Sequence, residues 1–239
     1  MIIRADGMHF EDLCREIREA GEDVLVENCQ GQRYIGSGMH GVNIDLYGTP
    51  GNALGAYFGG GRITVHGNAQ DATGDTMDGG TIIVHGSSGD ATGYAMRGGR
   101  ILIRNNAGYR AGIHMKQYAD KRPVLVIGGR AGSFLGEYQA GGLILVLGLH
   151  TDGRPIVGEF CGTGMHGGRI VLRCDAPPAG LPRQVMARQA SGEDLEEIVP
   201  LMDEFCSTFD IRCDMMSKST FFILTPDSRN PYQQLYVYN

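Results

Sequence analysis

Two stretches nineteen residues apart decide the fold: Gly55-Ala56-Tyr57-Phe58-Gly59-Gly60-Gly61-Arg62-Ile63-Thr64-Val65-His66-Gly67 and Gly74-Asp75-Thr76-Met77-Asp78-Gly79-Gly80-Thr81-Ile82-Ile83-Val84-His85-Gly86. Each opens on a glycine, places a large apolar residue three positions on, and passes a glycine cluster. Each then ends on a five-residue run whose second and fourth positions are aliphatic. Period two over such a run reads as a strand with one buried face. The frame extends both ways. Gly36, Gly55, Gly74, Gly93, Gly112, Gly136 and Gly162 form one column through seven units, with a five-residue insertion near Lys116–Lys121 and a seven-residue insertion around Leu149–Val157. Stacking the units aligns Leu25, Ile44, Ile63, Ile82, Ile101, Leu125, Ile144 and Ile170 in a first apolar column. A second is Leu46, Val65, Val84, Ile103, Ile127, Val146 and Leu172, with Glu27 as a polar exception in the first unit. A third, Met39, Phe58, Met77, Met96, Met115 and Met165, is interrupted by Gln139.

Nineteen residues are too few for a strand–helix unit, because a parallel crossover alone takes about a dozen or more. They suit one turn of a parallel β-helix, in which short strands joined by glycine corners stack at ~4.8 Å. The expected fold is all-β, a single-stranded right-handed parallel β-helix of about eight coils over residues 22–174, roughly 38 Å long. The glycines fall where the chain turns with φ > 0 or without room for a Cβ. Asn105, standing where other units have Gly48, Gly67 and Gly86, is expected in the same left-handed region.

Solenoid ends need covers. Residues 1–21 read as an N-terminal helical cap: Phe10, Leu13 and Ile17 share one helical face and Gly21 stands at the C-terminus. Residues 175–239 read as a linker plus a C-terminal α/β extension. Pro177-Pro178 and Pro182 mark the linker, and Ser191-Gly192-Glu193-Asp194 resembles a helix N-cap. Leu195, Ile198, Val199, Met202, Phe205 and Phe209 follow at helical spacing, with Pro200 predicting a kink or two short helices. Phe221–Thr225 reads as a strand, and Tyr232, Tyr236 and Tyr238 as an aromatic stripe.

Composition narrows the function classes. The 239 residues carry a net charge of −6 and include 38 glycines, 9 prolines and no tryptophan. An acidic balance without a basic cluster argues against nucleic acid, and no apolar run reaches the ~18–20 residues of a membrane span. The start, Met1-Ile2-Ile3-Arg4, lacks a signal-peptide pattern. Cys14, Cys29, Cys161, Cys174, Cys206 and Cys213 are scattered without a CxxC, so they read as reduced thiols of a cytoplasmic protein.

Candidate chemistry is sparse. Gly36-Ser37-Gly38-Met39-His40-Gly41 and Gly162-Thr163-Gly164-Met165-His166-Gly167 match the dinucleotide fingerprint, but strands follow them where the chemistry needs a helix N-terminus. His66 and His85 share an outward column on adjacent coils, with Tyr47 and Arg104 aligned beside them. They read as a stacked surface pair, since a metal would need a third ligand. Asp71 and Asp90, with Asp75 and Asp78 near, could suggest a glycosidase carboxylate pair, but they read rather as aspartates that tolerate tight turns and cap local backbone donors. No catalytic, cofactor-binding or metal-ligating residue is assigned to this chain.

The repeated G-x-x-G-x-x-x-G, complete in Gly48…Gly51…Gly55, Gly86…Gly89…Gly93 and Gly129…Gly132…Gly136, resembles the GXGXG β-helical domain at the C-terminus of the glutamate synthase large subunit. The same domain type forms the β-helical subunit of formylmethanofuran dehydrogenase. The tail, with Thr225-Pro226 and Asn230-Pro231-Tyr232-Gln233-Gln234-Leu235-Tyr236, resembles versions encoded as separate subunits. That resemblance implies a non-catalytic scaffold in a glutamate synthase-type oxidoreductase complex, forming glutamate from glutamine and 2-oxoglutarate. The partners would be a glutamine amidotransferase subunit and a synthase subunit bearing FMN and an iron–sulfur cluster, with no cofactor in this chain; a homo-oligomer is a further option. An N-methylglutamate synthase-type subunit is a variant. The β-helical subunit of a formylmethanofuran dehydrogenase-type enzyme is an alternative, and an autonomous carbohydrate-active β-helix enzyme an alternative of another class. One or both of the two insertions are expected to contact a partner subunit.

Overall fold

The computed structural model describes residues 1–21, 23–212 and 219–228. In chain order its elements are β1 (Ile2–Arg4), α1 (Phe10–Ala20), β2 (Val24–Gln30), β3 (Val42–Thr49), β4 (Gly59–Val65), β5 (Asp78–Val84), β6 (Gly98–Ile103), β7 (Val124–Ile127), β8 (Ala140–Val146), β9 (Gly167–Arg173), β10 (Val185–Gln189), α2 (Gly192–Phe209) and β11 (Phe221–Pro226). Strands β1 to β9 lie side by side in chain order, every neighbouring pair parallel. This is the stacked-coil solenoid that the repeat implies, with β2 to β9 supplying eight coils.

The internal ladders form as the alternation requires. Ile44, Ile63, Ile82, Ile101, Leu125, Ile144 and Ile170 pair rung to rung, as do Leu46 through Leu172 in the second column, and all are buried. The seven-member glycine column lies in the left-handed region, with φ between 63° and 74°. At five of its members, Gly36, Gly55, Gly74, Gly112 and Gly136, a Cβ would come within 3.0 Å of the Cδ1 of a ladder isoleucine. The corner thus turns against the core with no room for a side chain.

The first coil departs from the expected register. Val24 and Val26, not Leu25 and Glu27, face Ile44 and Leu46, and both are buried. An irregularity between Val26 and Cys29 absorbs the extra residue, with Asn28 at φ +59°. A one-residue slip exchanges the two faces of a strand, so Glu27 points outward to meet Arg4 at 3.4 Å. Asn105 also departs: it is not among the positive-φ residues. At Gly67 and Gly86 the constraint is a Cβ within 2.6 Å of the preceding coil's Gly48 and Gly67 carbonyls, not a left-handed turn.

Gln139 replaces methionine in the third ladder and is fully buried. Its Nε2 donates to the carbonyls of Gly141, Gly142 and Arg169, while Oε1 has no partner. A buried acceptor without a donor costs ~1–3 kcal/mol, and the other rungs do without the side-chain amide. Gln139→Met is therefore expected to stabilise the chain by about 1 kcal/mol, read as a higher urea midpoint at unchanged m-value.

At the N-terminal end β1 adds a rung ahead of β2, and α1 buries Leu13 and Ile17 on the core, closing with Gly21 at φ +66°. Phe10 is half-buried, its ring 5.9 Å from that of Tyr34. At the other end β11 pairs antiparallel with β9, and β10 with β11. Of the two outcomes expected at Pro200, a kink or two short helices, the second does not occur: α2 is one 18-residue helix with Pro200 inside it. Pro200 lies on its exposed side, while Ile198, Met202, Phe205 and Phe209 are buried and anchor the helix on both sides of it. The aromatic stripe at Tyr232, Tyr236 and Tyr238 falls outside the described residues. Cys14, Cys29, Cys161 and Cys174 are free, and burial pushes the Cys29 thiol up to about 11 and Cys161 to about 12. Cys206 corrects the all-thiol expectation, being disulfide-bonded.

Helix α2 lies across the outer face of the later strands. There Leu102, Val126, Leu145 and Val171 are apolar and buried, packed with Ile198, Met202, Phe205 and Phe209. In the earlier coils the matching positions are Asp45, Thr64 and Ile83. Ion pairs from Arg100 to Glu204 (2.5 Å), and from Arg122 and Arg169 to Glu197, fasten the rim. The helix start has the capping box that Ser191 implied, with Asp194 as the reciprocal partner. Arg188 grips the Asp194 carboxylate with both terminal guanidinium nitrogens, Nη1 and Nη2, at 2.6 and 2.8 Å. These hydrogen bonds, with that from the Ser191 backbone, hold the buried Asp194 carboxyl far below the usual carboxylate range. A depressed folded pKa gives stability that is complete above the unfolded value, ~3.9, and is lost as pH falls below it. Melting between pH 5 and pH 2 should therefore drop more steeply in the wild type than in Asp194→Asn. At pH 7 that variant should be about 2 kcal/mol less stable.

Candidate interaction surface

The coil's outward columns hold what the sequence offers as chemistry. The Asp71 carboxylate accepts from the Asp90 backbone N–H at 2.8 Å, and the Asp90 carboxylate from Tyr109 N–H at 2.7 Å. Each acid caps the next coil. Asn68 and Asn106 do the same for Ser87 and Arg130. The glycines of the motif make room for these caps: a Cβ on Gly86, Gly89, Gly108 or Gly129 would stand 2.2–2.3 Å from the capping oxygen. The carboxylate pair considered for glycoside cleavage is thus committed to the backbone.

His66 and His85 stack with ring centroids 5.2 Å apart, continuing a column that starts at Tyr47, 4.3 Å from His66. His66 meets Asp45 at 3.1 Å, and His85 touches the edge of Phe209 on α2. Burial, then the neighbouring His66 and Arg104, lower the His85 pKa. This is the stacked surface pair that the sequence predicts. The two G-x-G-x-x-G stretches lead directly into β3 and β9, which removes the helix N-terminus that a pyrophosphate needs. Among the described residues no three His, Cys, Asp or Glu side chains converge as a metal site would require.

A feature that the sequence does not announce lies on the corner. Two columns flank the glycines, and their non-glycine members also adopt φ > 0. Tyr34, Ala53, Ala72, Ala91, Arg110, Phe134 and Phe160 form one, and Tyr57, Thr76, Ala95, His114 and Tyr138 the other. A left-handed residue costs ~1–2 kcal/mol, offset here by rung hydrogen bonds such as Ala72 N–H to Asp90 O and Thr76 N–H to Tyr94 O. The signal is present as nineteen-residue columns, but propensity assigns no left-handed role to alanine, tyrosine or phenylalanine.

In the later coils this corner becomes aromatic. Tyr109, Phe134 and Phe160 form a ladder with centroids 5.1 and 4.8 Å apart, and Tyr94, His114 and Tyr138 form a second at 5.9 and 5.1 Å. The Arg110 guanidinium lies 4.9 Å from the Tyr109 centroid and 5.2 Å from that of Phe134. It is fixed by the buried Glu137 carboxylate at 2.8 Å. Phe160 remains 48% exposed. Tyrosine, phenylalanine and arginine held in place and partly exposed, as Tyr109 and Phe160 are, are side chains enriched at protein interfaces. The two insertions leave the same rod. Tyr118 is exposed at the tip of the first, with Lys121 bound to Asp78 at 2.9 Å, and Pro155 of the second accepts from Arg130 at 2.5 Å.

No helix among the described residues is long and apolar enough to cross a membrane. A crystal structure of the formyltransferase/hydrolase complex (FhcABCD) from Methylorubrum extorquens, in complex with methylofuran, contains a chain of similar fold. The TM-score is 0.64 at 20% identity, covering 86% of this chain and 73% of that one. The uncharacterized protein MJ1350 of Methanocaldococcus jannaschii is 42% identical over 251 residues, spanning 99% of this chain and 96% of its own. The family model described as the GXGXG motif matches residues 18–217. With its glycine corners, stacked rungs and that match over most of its length, the chain belongs to the GXGXG motif family.

Proposed function

We propose that this chain is the non-catalytic scaffold of a glutamate synthase-type complex, holding a glutamine amidotransferase subunit and a synthase subunit bearing FMN and an iron–sulfur cluster. The observation that carries this reading is the rigid aromatic–arginine corner built on Tyr109, Arg110, Phe134 and Phe160. It is a surface suited to docking and carries no reacting group. Membership of the GXGXG motif family supports the scaffold reading. Co-purification from the native host tests it: the expected partners are a glutaminase and a flavoprotein. Replacing Tyr109, Phe134 and Phe160 together by alanine should weaken their capture at least tenfold, as hot-spot aromatics worth ~1.4 kcal/mol or more require. Shortening both insertions should weaken it further. Unchanged capture by both variants would overturn the reading.

The second reading is the β-helical subunit of a formylmethanofuran dehydrogenase-type enzyme, favoured by the fold neighbour from a formyltransferase/hydrolase complex. The same experiment separates the two, since the bound chains would then include a molybdenum or tungsten enzyme.

A further inference from the structure

After Cys174 the chain leaves the coil path beside the loop of residues 149–157, whose Ile156 and Val157 pack on the rod. A cavity of about 520 Å³ opens between the two segments, within the ~300–1,000 Å³ typical of small-molecule sites. Its wall is apolar at Ile156 and Val157, carries hydroxyls at Thr151 and Thr220, and holds one cation among the described residues, Arg173. The guanidinium is fixed by neutral acceptors. Nε donates to the Leu147 carbonyl at 2.5 Å, Nη2 to Gly148 at 3.2 Å and Nη1 to the Ser219 hydroxyl at 3.3 Å. Among the described residues no carboxylate forms an ion pair with it, although ion pairs hold Arg100, Arg110, Arg122, Arg169 and Arg188. Burial lowers its pKa, and only the more distant Asp175 opposes that.

A half-buried cation with neutral partners is poised for an anion. The planar fork of arginine matches a carboxylate. The exposed Asp175 on the same wall adds a negative charge that works against a dianion such as phosphate. We propose that this cavity binds a small organic monocarboxylate, its carboxylate received by Arg173 and its carbon body lying against Ile156 and Val157. The assignment is independent of the scaffold reading.

Titration of the full-length chain with acetate, L-lactate and pyruvate at constant ionic strength tests it, with melting temperature and calorimetry as readouts and inorganic phosphate as the comparison. A saturable rise of about 2–4 °C is expected with a monocarboxylate, and none with phosphate. Arg173→Gln should weaken binding at least tenfold. Because Arg173→Gln also removes backbone contacts, Thr151→Phe serves as a second variant: it obstructs the cavity from the insertion side and should abolish the rise. No saturable rise with any of the three carboxylates, an equal rise with phosphate, or an undiminished rise in Thr151→Phe would overturn the proposal.

Discussion

Gly61→Ala is expected to destabilise the chain by about 4–5 kcal/mol, at the upper end of single substitutions and comparable to the whole stability of many domains. Gly61 opens a rung at φ +92°, and a Cβ there would stand 2.1 Å from the Val42 carbonyl oxygen and 2.7 Å from its nitrogen. Both atoms belong to the adjacent coil's backbone, so relief requires separating two rungs. Gly74→Ala should cost less, about 2–3 kcal/mol. Its φ of +72° is strained for alanine, and the Cβ meets Ile101 Cδ1 at 2.4 Å, a side-chain tip that can rotate at the expense of packing. Gly38→Ala, at φ +65° with nothing within 4 Å, should cost about 1 kcal/mol or less. The chain already places Tyr57 and Thr76 in that column with φ of +56° and +52°. Urea midpoints of the three variants would rank them. Equal losses at Gly38 and Gly61 would show that backbone conformation, and not room between rungs, sets the requirement.

Phe205→Ala should cost about 3–5 kcal/mol, the range for a large aromatic removed from a core. Phe205 is fully buried between α2 and the sheet. It lies so close over Gly128 that a Cβ there would be 2.6 Å from its ring, and its centroid is 4.7 Å from that of Phe209. Without it the cover over Leu102, Val126, Leu145 and Val171 loosens. The variant should bind a hydrophobic dye and lose its outer-face protection in hydrogen exchange before the inner ladders open. Melting within about 1 °C of the wild type would show that α2 is not the cover these strands need.

The coil is legible because its cause is repeated. Once Ile63, Ile82 and Ile101 fall on one column, tight spacing of parallel rungs leaves glycine as the residue that fits Gly55 and Gly74. The histidine stack and the backbone role of Asp71 and Asp90 follow from the same alignment. Expectation and structure part where the repeat stops informing. Counting nineteen residues back puts Leu25 and Glu27 in the ladders, but the first coil holds one residue more. Pro200 leaves two short helices open as an outcome, because local propensity knows nothing of the strands beneath Ile198 and Met202 that hold α2 as one helix. The candidate surface is half-visible: the insertions stand out as interruptions, but the aromatic corner depends on tyrosine and phenylalanine adopting φ > 0, which only stacked rungs can stabilise.

The sequence by itself determined the coil, its two internal ladders of aliphatic residues and the positions where no Cβ fits, because each is a short-range steric demand renewed nineteen residues later. The tertiary structure alone decided which outer face α2 would cover. It also joined Arg110, Tyr109 and Phe134 into one rigid patch and left Arg173 at a cavity without a carboxylate partner among the described residues. Those arrangements join segments whose separation follows no period, so their energies come from packing and charge across space.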